Sequence, residues 1–319
     1  QLGALLIGLV ALTASLMIDY RTIVNRSLLI YGGLAACLLY TLWFGVEQGG
    51  AQRWIGLGVV NFQPSEFARL VVALVLAFIF AKDHRGSRRL SDWLIGIVIV
   101  GLPVFLIARQ PDLGSAATLL PVCIVIMLFA GLKPRVLAVL SVVAILAAPV
   151  VWAYGMEDYQ KTRIASFLDP EQDPRGAGYQ QIQARITVGS GGLTGRGFLQ
   201  GTQSQYDFLP VAHNDFIFSV LAEEHGFIGV LFTLGLYLFV VLRSLEAARL
   251  SKDRMGQYLV AGVLAGFTFQ VIYNVTMSAG LAPVKGLPLP LMSYGGSSVI
   301  ATLLGFGLIL NVRMRRFTN

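Results

Sequence analysis

The chain has 319 residues, of which 55% are hydrophobic and only 13% charged, with a formal net charge of +7 and a mean hydropathy of +0.70. A soluble globular domain has no use for so many uncharged stretches close to the ~20 residues that cross a bilayer. The surplus positive charge is spread over short connections, which argues against a basic nucleic-acid surface, and no nucleic-acid partner is expected.

Nine apolar runs follow in order, at residues 2–18, 27–46, 66–81, 93–108, 113–132, 135–154, 216–243, 257–279 and 296–313. They are continuous rather than alternating, so they read as helices and not as barrel strands. The expected fold class is an all-α polytopic membrane protein, one domain over residues 1–319. Cys37 and Cys123 fall inside the runs and imply no disulfide framework. One set of alternate connections, from Arg21 and Arg26 through Lys82–Arg89, Lys133, Arg135 and Arg243–Arg254 to Arg313, Arg315 and Arg316, carries 15 basic residues against 5 acids. The remaining segments carry 9 basic and 12 acidic residues. By the positive-inside rule the basic set faces the cytoplasm. Gln1 then lies outside, which needs a preceding span or a cleaved leader. Ten spans, with both ends cytoplasmic, are expected for the full protein.

On the outer side, Arg53-Trp54-Ile55-Gly56-Leu57-Gly58 reads as an interfacial piece with Trp54 at headgroup level. In Gln63-Pro64-Ser65-Glu66-Phe67-Ala68-Arg69, Pro64 and Ser65 suit a helix start. Glu66 and Arg69 share a face, either as a helix-end ion pair or as groups lining a wet cavity. Asp112, in Gln110-Pro111-Asp112-Leu113-Gly114, is placed to N-cap the run that follows. Residues 156–214 form the one large connection, 59 residues long. Tyr179, Ile182 and Ile186 within it are spaced for a short amphipathic helix lying on the membrane. The glycine-rich stretch 189–197 carries Arg196, and its backbone N–H groups together with that side chain suit a phosphate, although it matches no P-loop.

Asp215, in Asn214-Asp215-Phe216-Ile217-Phe218, is the last acid before the next apolar run, where it either caps that helix or does chemistry. Glu223 and Glu224 follow, ~12–13.5 Å further along a continuous helix. At least one is expected to line a polar interior, with Arg69 as the candidate partner. The last outer connection, residues 282–298, holds Pro283, Pro288 and Pro290 and one cation, Lys285. Prolines forbid a regular helix there, and Lys285 either snorkels to the headgroups or neutralises a lipid phosphate. The three histidines are scattered and no zinc spacing is present. The outer-side acids Glu66, Asp112 and Asp215 and the bases Arg69, Arg163, Arg196 and Lys285 suit the handling of an anionic lipid.

Taken together, Trp54–Gly58, Gln63–Glu66, Gln110–Gly114, Phe167-Leu168-Asp169-Pro170, Gly191–Gly195, Gly201-Thr202-Gln203-Ser204, Asn214–Phe218 with Ala222-Glu223-Glu224, and Pro288-Leu289-Pro290 with Ser293–Ser297 resemble the SEDS family of shape, elongation, division and sporulation proteins, on its RodA-like side. The resemblance covers essentially the whole chain. Arg69 stands where Lys is common, and Leu291 where Phe is common. It implies ten spans, with the large extracytoplasmic loop between spans seven and eight of the full protein. The implied activity is a peptidoglycan glycosyltransferase of the bacterial cytoplasmic (inner) membrane, acting outside. It polymerises lipid II into a nascent β-1,4 glycan strand with inversion and loss of undecaprenyl pyrophosphate, beside a class B penicillin-binding protein and membrane lipids. Asp215 matches the family's essential acid, and Glu66, Arg69, Asp112 and Lys285 map onto cavity positions. Arg196, Lys285 or a divalent cation stabilises the leaving pyrophosphate. Dependence on Mg2+ or Mn2+ is a family trait, with no metal site legible in the sequence. A lipid II flippase and a non-enzymatic scaffold for the penicillin-binding protein are the rival functions. The one-sided clustering of ionisable groups and the lack of an inverted repeat count against the flippase.

Overall fold

The computed structural model describes every residue except 49–50, 57–60, 83–89, 174–175, 207, 210–212 and 318–319. Leu57, Gly58, Arg85, Arg88 and Arg89, singled out above, lie outside the described residues. The nine apolar runs are occupied by α1 (Leu2–Met17), α3 (Ser27–Phe44), α4 (Pro64–Lys82), α5 (Leu90–Ala108), α6 (Leu113–Phe129), α7 (Pro134–Val150), α11 (Ile217–Arg249), α12 (Arg254–Ser278) and α13 (Gly296–Met314). Six of these are long and apolar enough to cross a membrane, and α1, α6 and α7 are shorter apolar helices. The short helix α2 (Tyr20–Asn25) links α1 to α3, and the long loop contains α8 (Asp158–Leu168), α9 (Ala177–Ser190) and α10 (Thr202–Gln205). The chain, read from sequence as one domain, is organised as two compact units, Gln1–Ala130 with Leu238–Gln270 and Tyr294–Asn319, and Gly131–Tyr237 with Val271–Ser293.

In the first unit α4 is the central helix, with nearly every residue from Pro64 to Ala81 buried. It packs against α3, α6 and α13. The helices α1 and α13 approach closely because Gly307 leaves room for Ser15 and Leu12, and Gly8 for Leu303. Asn311 of α13 closes the end of α1. Its Nδ2 donates to Ser15 O and Ile18 O (2.5 and 2.6 Å), and its Oδ1 accepts from Tyr20 N at 3.2 Å. A distant side chain thus serves carbonyls that a helix end leaves unpaired.

The departure from an all-α reading is a small antiparallel sheet of β1 (Val46–Gln48), β2 (Ala51–Gly56) and β3 (Asn61–Phe62). It forms where the sequence reads as an interfacial piece around Trp54, and Trp54 pairs with Val46 across the hairpin. The physical reason is the chemistry of the stretch: two short β-forming segments separated by Gly49-Gly50, a hairpin spacing. Arg53 on β2 ties the sheet to the α5–α6 connection, its Nε donating to Gln110 O (3.1 Å) and its Nη2 to Pro111 O (3.0 Å).

In the second unit α9 forms where the amphipathic helix is expected, but its buried face is different. Gly178, Gln181, Ala184 and Thr187 are buried, whereas Ile186 is 46% exposed. Small residues win because the chain runs close to α9: a side chain on Gly178 would meet Pro170 O. The turn before α9 is held by Asp173, which accepts from Ser166 Oγ at 3.1 Å and from Gly178 N at 3.5 Å. Partial desolvation raises the Asp173 carboxyl, but hydrogen bonds from Gly178, Ser166, Ala177 and Gly176 outweigh it and hold the group below the usual carboxylate value.

The helix α11 is broken at Gly226, with φ 64° and ψ −166°. The glycine-rich stretch after α9 fills the break. Arg196 N and Gly197 N donate to Glu223 O and Glu224 O (2.9 and 3.0 Å), while Phe227 N and Ile228 N donate to Gly192 O and Leu193 O (2.9 and 3.1 Å). The backbone contact is close enough that a Cβ on Gly191 would strike Ala222 O, one on Gly195 Glu224 O, and one on Gly226 Gly195 N. Residues 227–249 alone reach ~34 Å at 1.5 Å per residue, more than the ~30 Å hydrocarbon thickness. Glu223 and Glu224 stand just before the break, and the residues after it are long enough to form a span by themselves.

Two outcomes follow. Gly195→Ala, at φ +82° against Glu224 O, should lower stability by at least ~1–3 kcal/mol, while Gly189→Ala, which meets no atom within 4 Å, should be neutral or stabilising; thermal unfolding in detergent compares them. Asp173→Asn should lower the unfolding temperature at neutral pH. Because the folded pKa is depressed, that difference is fully present above the ordinary carboxylate value and vanishes as pH falls through the folded one. A difference that persists at low pH would mean that the carboxylate charge does not hold this turn.

Candidate active site

Two polar clusters, one in each unit, contain the residues singled out in the sequence other than Arg196. In the first unit Glu66, Arg69 and Asp112 come together, at 5%, 5% and 3% exposure. Arg69 Nη2 lies 3.7 Å from Glu66 Oε2 and donates to Thr302 Oγ1 at 3.0 Å. Asp112 Oδ1 accepts from Ser115 N at 3.0 Å and so caps α6. Its Oδ2 accepts from Gln63 Nε2 and Ser65 Oγ, both at 3.3 Å. The Gln63-Pro64-Ser65-Glu66 and Gln110-Pro111-Asp112 motifs therefore meet at one carboxylate. Gln270 and Ser298 bring further polar groups to Glu66, and the buried Gln270 Oε1 accepts no hydrogen bond. Glu66 thus lies between a guanidinium that pairs with it and a second carboxylate, Asp112, in a protein interior. The even choice between ion pair and cavity lining resolves geometrically into a buried pair that also faces a second acid.

In the second unit Asp215 precedes α11 and is half-buried. It stands on a small core of Ala184, Leu209, Phe216, Val220, Met277 and Val284. Its backbone is fixed by Asn274, whose Nδ2 donates to Asp215 O and to Leu287 O, each at 2.8 Å. Ser293 Oγ donates to Asn214 O at 2.5 Å and accepts from Leu289 N at 2.7 Å. The proline-rich connection is held further by Tyr273 Oη on Pro283 O (2.9 Å) and by Tyr237 Oη on Pro290 O (2.6 Å). The Asp215 carboxylate lies against Gly286: a Cβ there would be 3.3 Å from Oδ2 and 3.8 Å from Oδ1. The next residue back is Lys285, whose ammonium is pushed below its usual value first by burial and then by the Arg163 guanidinium.

Arg196 is placed elsewhere in this unit. It is exposed, donating from Nε to Ser190 O (3.2 Å) and from Nη1 to Thr202 Oγ1 (2.9 Å). The backbone N–H groups of Gly195, Arg196 and Gly197, read above as phosphate donors, are spent on Gly191 O, Glu223 O and Glu224 O. Glu223 Oε1 accepts from Gln203 N at 2.9 Å, Ser190 Oγ at 3.3 Å and Thr202 Oγ1 at 3.4 Å, while Arg69, the partner suggested for it from sequence, pairs with Glu66 within the first unit. The positions missed from sequence are Asn274, Tyr273 and Gln270. The signal for them was present, since polar side chains within an apolar run are commonly functional or structural pivots. Among the described residues no three of His, Cys, Asp or Glu converge as a metal site, so the donors present do not build a closed cage for a divalent cation.

Comparison with known proteins decides the family. The family model for FtsW/RodA/SpoVE cell cycle proteins matches residues 1–317. The chain belongs to this family. The peptidoglycan glycosyltransferase MrdB of Escherichia coli is 39% identical over 316 residues, covering 99% of this chain and 85% of that protein. A solved peptidoglycan synthase complex, described as coordinating polymerization and crosslinking, contains a chain 33% identical with a TM-score of 0.87, covering 100% of this chain and 90% of that one. The crystal structure of the rod shape determining protein RodA of Thermus thermophilus is 31% identical with a TM-score of 0.74, covering 100% and 88%.

The buried pair in the first unit yields a double-mutant test. Arg69→Met strands Glu66 and should cost ~3–5 kcal/mol, whereas Glu66→Gln with Arg69→Met should recover more than half of that. Additive losses, measured by thermal unfolding, would mean that the two side chains do not act as a pair.

Proposed function

We propose that this chain is a peptidoglycan glycosyltransferase that polymerises lipid II at the outer face of the bacterial cytoplasmic membrane. The family membership over residues 1–317 supports the reaction class. The observation that carries the assignment of the chemistry is Asp215, a half-buried residue whose backbone carbonyl is held by Asn274 and whose carboxylate lies against the side-chain-free Gly286. A side chain at residue 286 would crowd this carboxylate, with its Cβ 3.3 Å from Oδ2.

The acceptor is the sugar 4-hydroxyl of one lipid-linked glycan, and the donor is the anomeric carbon of another. Asp215 takes the hydroxyl proton as the oxygen attacks from the side opposite the diphosphate. The new C–O bond forms as the carbon–phosphoryl-oxygen bond breaks, and its electron pair leaves on undecaprenyl pyrophosphate. One displacement turns an α-linked donor into a β-1,4 product. The proton held by Asp215 passes to solvent. Such a base contributes ~10²–10⁴-fold. The 15 basic residues of one set of connections support an orientation that places this unit's loops outside. The synthase complex to which the chain is similar supports a crosslinking partner, a class B penicillin-binding protein. Glu66, Arg69 and Asp112 have the character of a structural and substrate-positioning cluster, being too deeply buried to meet bulk acceptor directly.

The test is glycan polymerisation by the purified protein in detergent, where a flippase with no second compartment produces nothing. Asp215→Asn should fold and bind lipid II yet lose at least ~10²-fold in polymerisation. Asn and Asp cap helices about equally well, so a well-folded Asp215→Asn protein that polymerises normally would show that Asp215 only caps α11.

A further inference from the structure

We propose that the glycine-rich stretch filling the break in α11 is a membrane-surface anchor, in which Leu193, Phe198 and Leu199 dip into the interfacial layer of the bilayer on the side opposite Arg243. The inference goes beyond the reaction proposed above and does not depend on it. Depth is set by the span. Residues 227–242 hold no charge, and at 1.5 Å per residue they reach ~24 Å, which fits within a hydrocarbon core ~30 Å thick. With Arg243 at one boundary of that core, Gly226 stands near the other. The glycine-rich stretch shares this depth, because Phe227 N and Ile228 N donate to Gly192 O and Leu193 O (2.9 and 3.1 Å).

The side chains at this level are of the kind that an interface takes. Leu193 and Phe198 are each 72% exposed and Leu199 62%. Leu193 adjoins the exposed Ile228 through the backbone, and the Phe198 ring lies 6.3 Å from that of His225. The patch thus continues the exposed apolar surface of the span, which a bilayer covers. Leu199 is held at φ 58°, a left-handed conformation that a leucine adopts only at a conformational cost. In water nothing offsets that cost, whereas in the interfacial layer the burial of the leucine side chain does. An irregular backbone can approach hydrocarbon only when its polar groups are satisfied within the protein. Here Gly195 N, Arg196 N and Gly197 N donate to Gly191 O, Glu223 O and Glu224 O, and Gly192 O and Leu193 O accept from the second half of α11. Arg196, the only charge in residues 189–200, is exposed and donates to Ser190 O and Thr202 Oγ1, a placement that suits a guanidinium at headgroup level. The bonds that fill the break therefore also leave the stretch able to lie against lipid. Since it holds Glu223 O and Glu224 O, the anchor ties the first half of α11 to the membrane surface, where a lipid-tethered substrate meets the loop at a fixed height.

The test is nitroxide accessibility on the full chain in phosphatidylcholine–phosphatidylglycerol liposomes, with Cys37→Ser and Cys123→Ser as the background. Leu193→Cys, Phe198→Cys and Leu199→Cys are spin-labelled one at a time. Power saturation then compares oxygen, which concentrates in lipid, with a water-soluble nickel chelate. Leu236→Cys, exposed within the span, and Glu171→Cys, exposed in the long loop, give the lipid and water references. Oxygen should reach the three labels in preference to the chelate, with values shifted from the Glu171→Cys reference toward that of Leu236→Cys. A preference for the chelate equal to that at Glu171→Cys would place the stretch in water and overturn the anchor. Exclusion of both reagents would mean that a protein surface covers the patch, a second copy of the chain included, and would overturn it as well. Combining Phe198→Ser with Leu199→Ser should move the label at Leu193→Cys toward the water reference, and an unmoved label would show that these side chains do not hold the stretch down. The three single-label measurements stand whether or not the double variant folds.

Discussion

Asn274 gives both hydrogens of its amide to main-chain carbonyls, Asp215 O at the entrance to α11 and Leu287 O in the proline-rich connection. The side chain is fully buried, so its donors have no water to fall back on, and leaving either carbonyl unserved would cost ~1–3 kcal/mol. Leu287 O belongs to no regular hydrogen-bond ladder, because prolines at 283, 288 and 290 deny the connection one. The irregular segment is instead tied down carbonyl by carbonyl, by Tyr273, Arg163, Asn274 and Tyr237. Side chains are doing what backbone pairing does elsewhere. That is how a loop without secondary structure can hold Asp215 and Lys285 in one fixed relation.

The cluster of Glu66, Arg69 and Asp112 solves a different problem. Its charges are buried almost completely, and such groups persist only when hydrogen bonds and opposite charge compensate desolvation. Asp112 achieves this with three donors, from Gln63, Ser65 and Ser115. Arg69 achieves it with Glu66 and Thr302. Glu66 has less, an ion pair at 3.7 Å and polar neighbours, and so is the least compensated of the three.

The helices were legible because an uncharged run of ~20 residues can satisfy its backbone in a bilayer in almost no way but as a helix. The cap by Asp112 and the shared face of Glu66 and Arg69 followed from spacing alone. The β1–β2 hairpin is marked in the sequence only by Gly49-Gly50 between two short segments, and the strands themselves carry no clear alternation. The face of α9 was misjudged because close packing by Gly178, Ala184 and Thr187 leaves no trace in hydrophobic periodicity. The break at Gly226 could not be read from α11 itself. A single glycine in an apolar run is ordinary, and the cause lies upstream in residues 191–197. The pairing of Arg163 with the turn at Lys285 was hidden for the same reason: contacts between distant segments are written in no local pattern.

The filled break in α11 also bears on biosynthesis. A nascent chain emerges from its N-terminus, so residues 191–197 have left the ribosome before Glu223 and Gly226 are made. The donors and acceptors that bridge the two half-helices, Gly192 O, Leu193 O, Arg196 N and Gly197 N, are thus already synthesised when the second half begins to coil. Insertion machinery that recognises a membrane segment by its length meets residues 227–249 as a complete candidate, and need not pull Glu223 and Glu224 into lipid to obtain one. The interruption leaves residues 227–249 long enough to span without including Glu223 and Glu224.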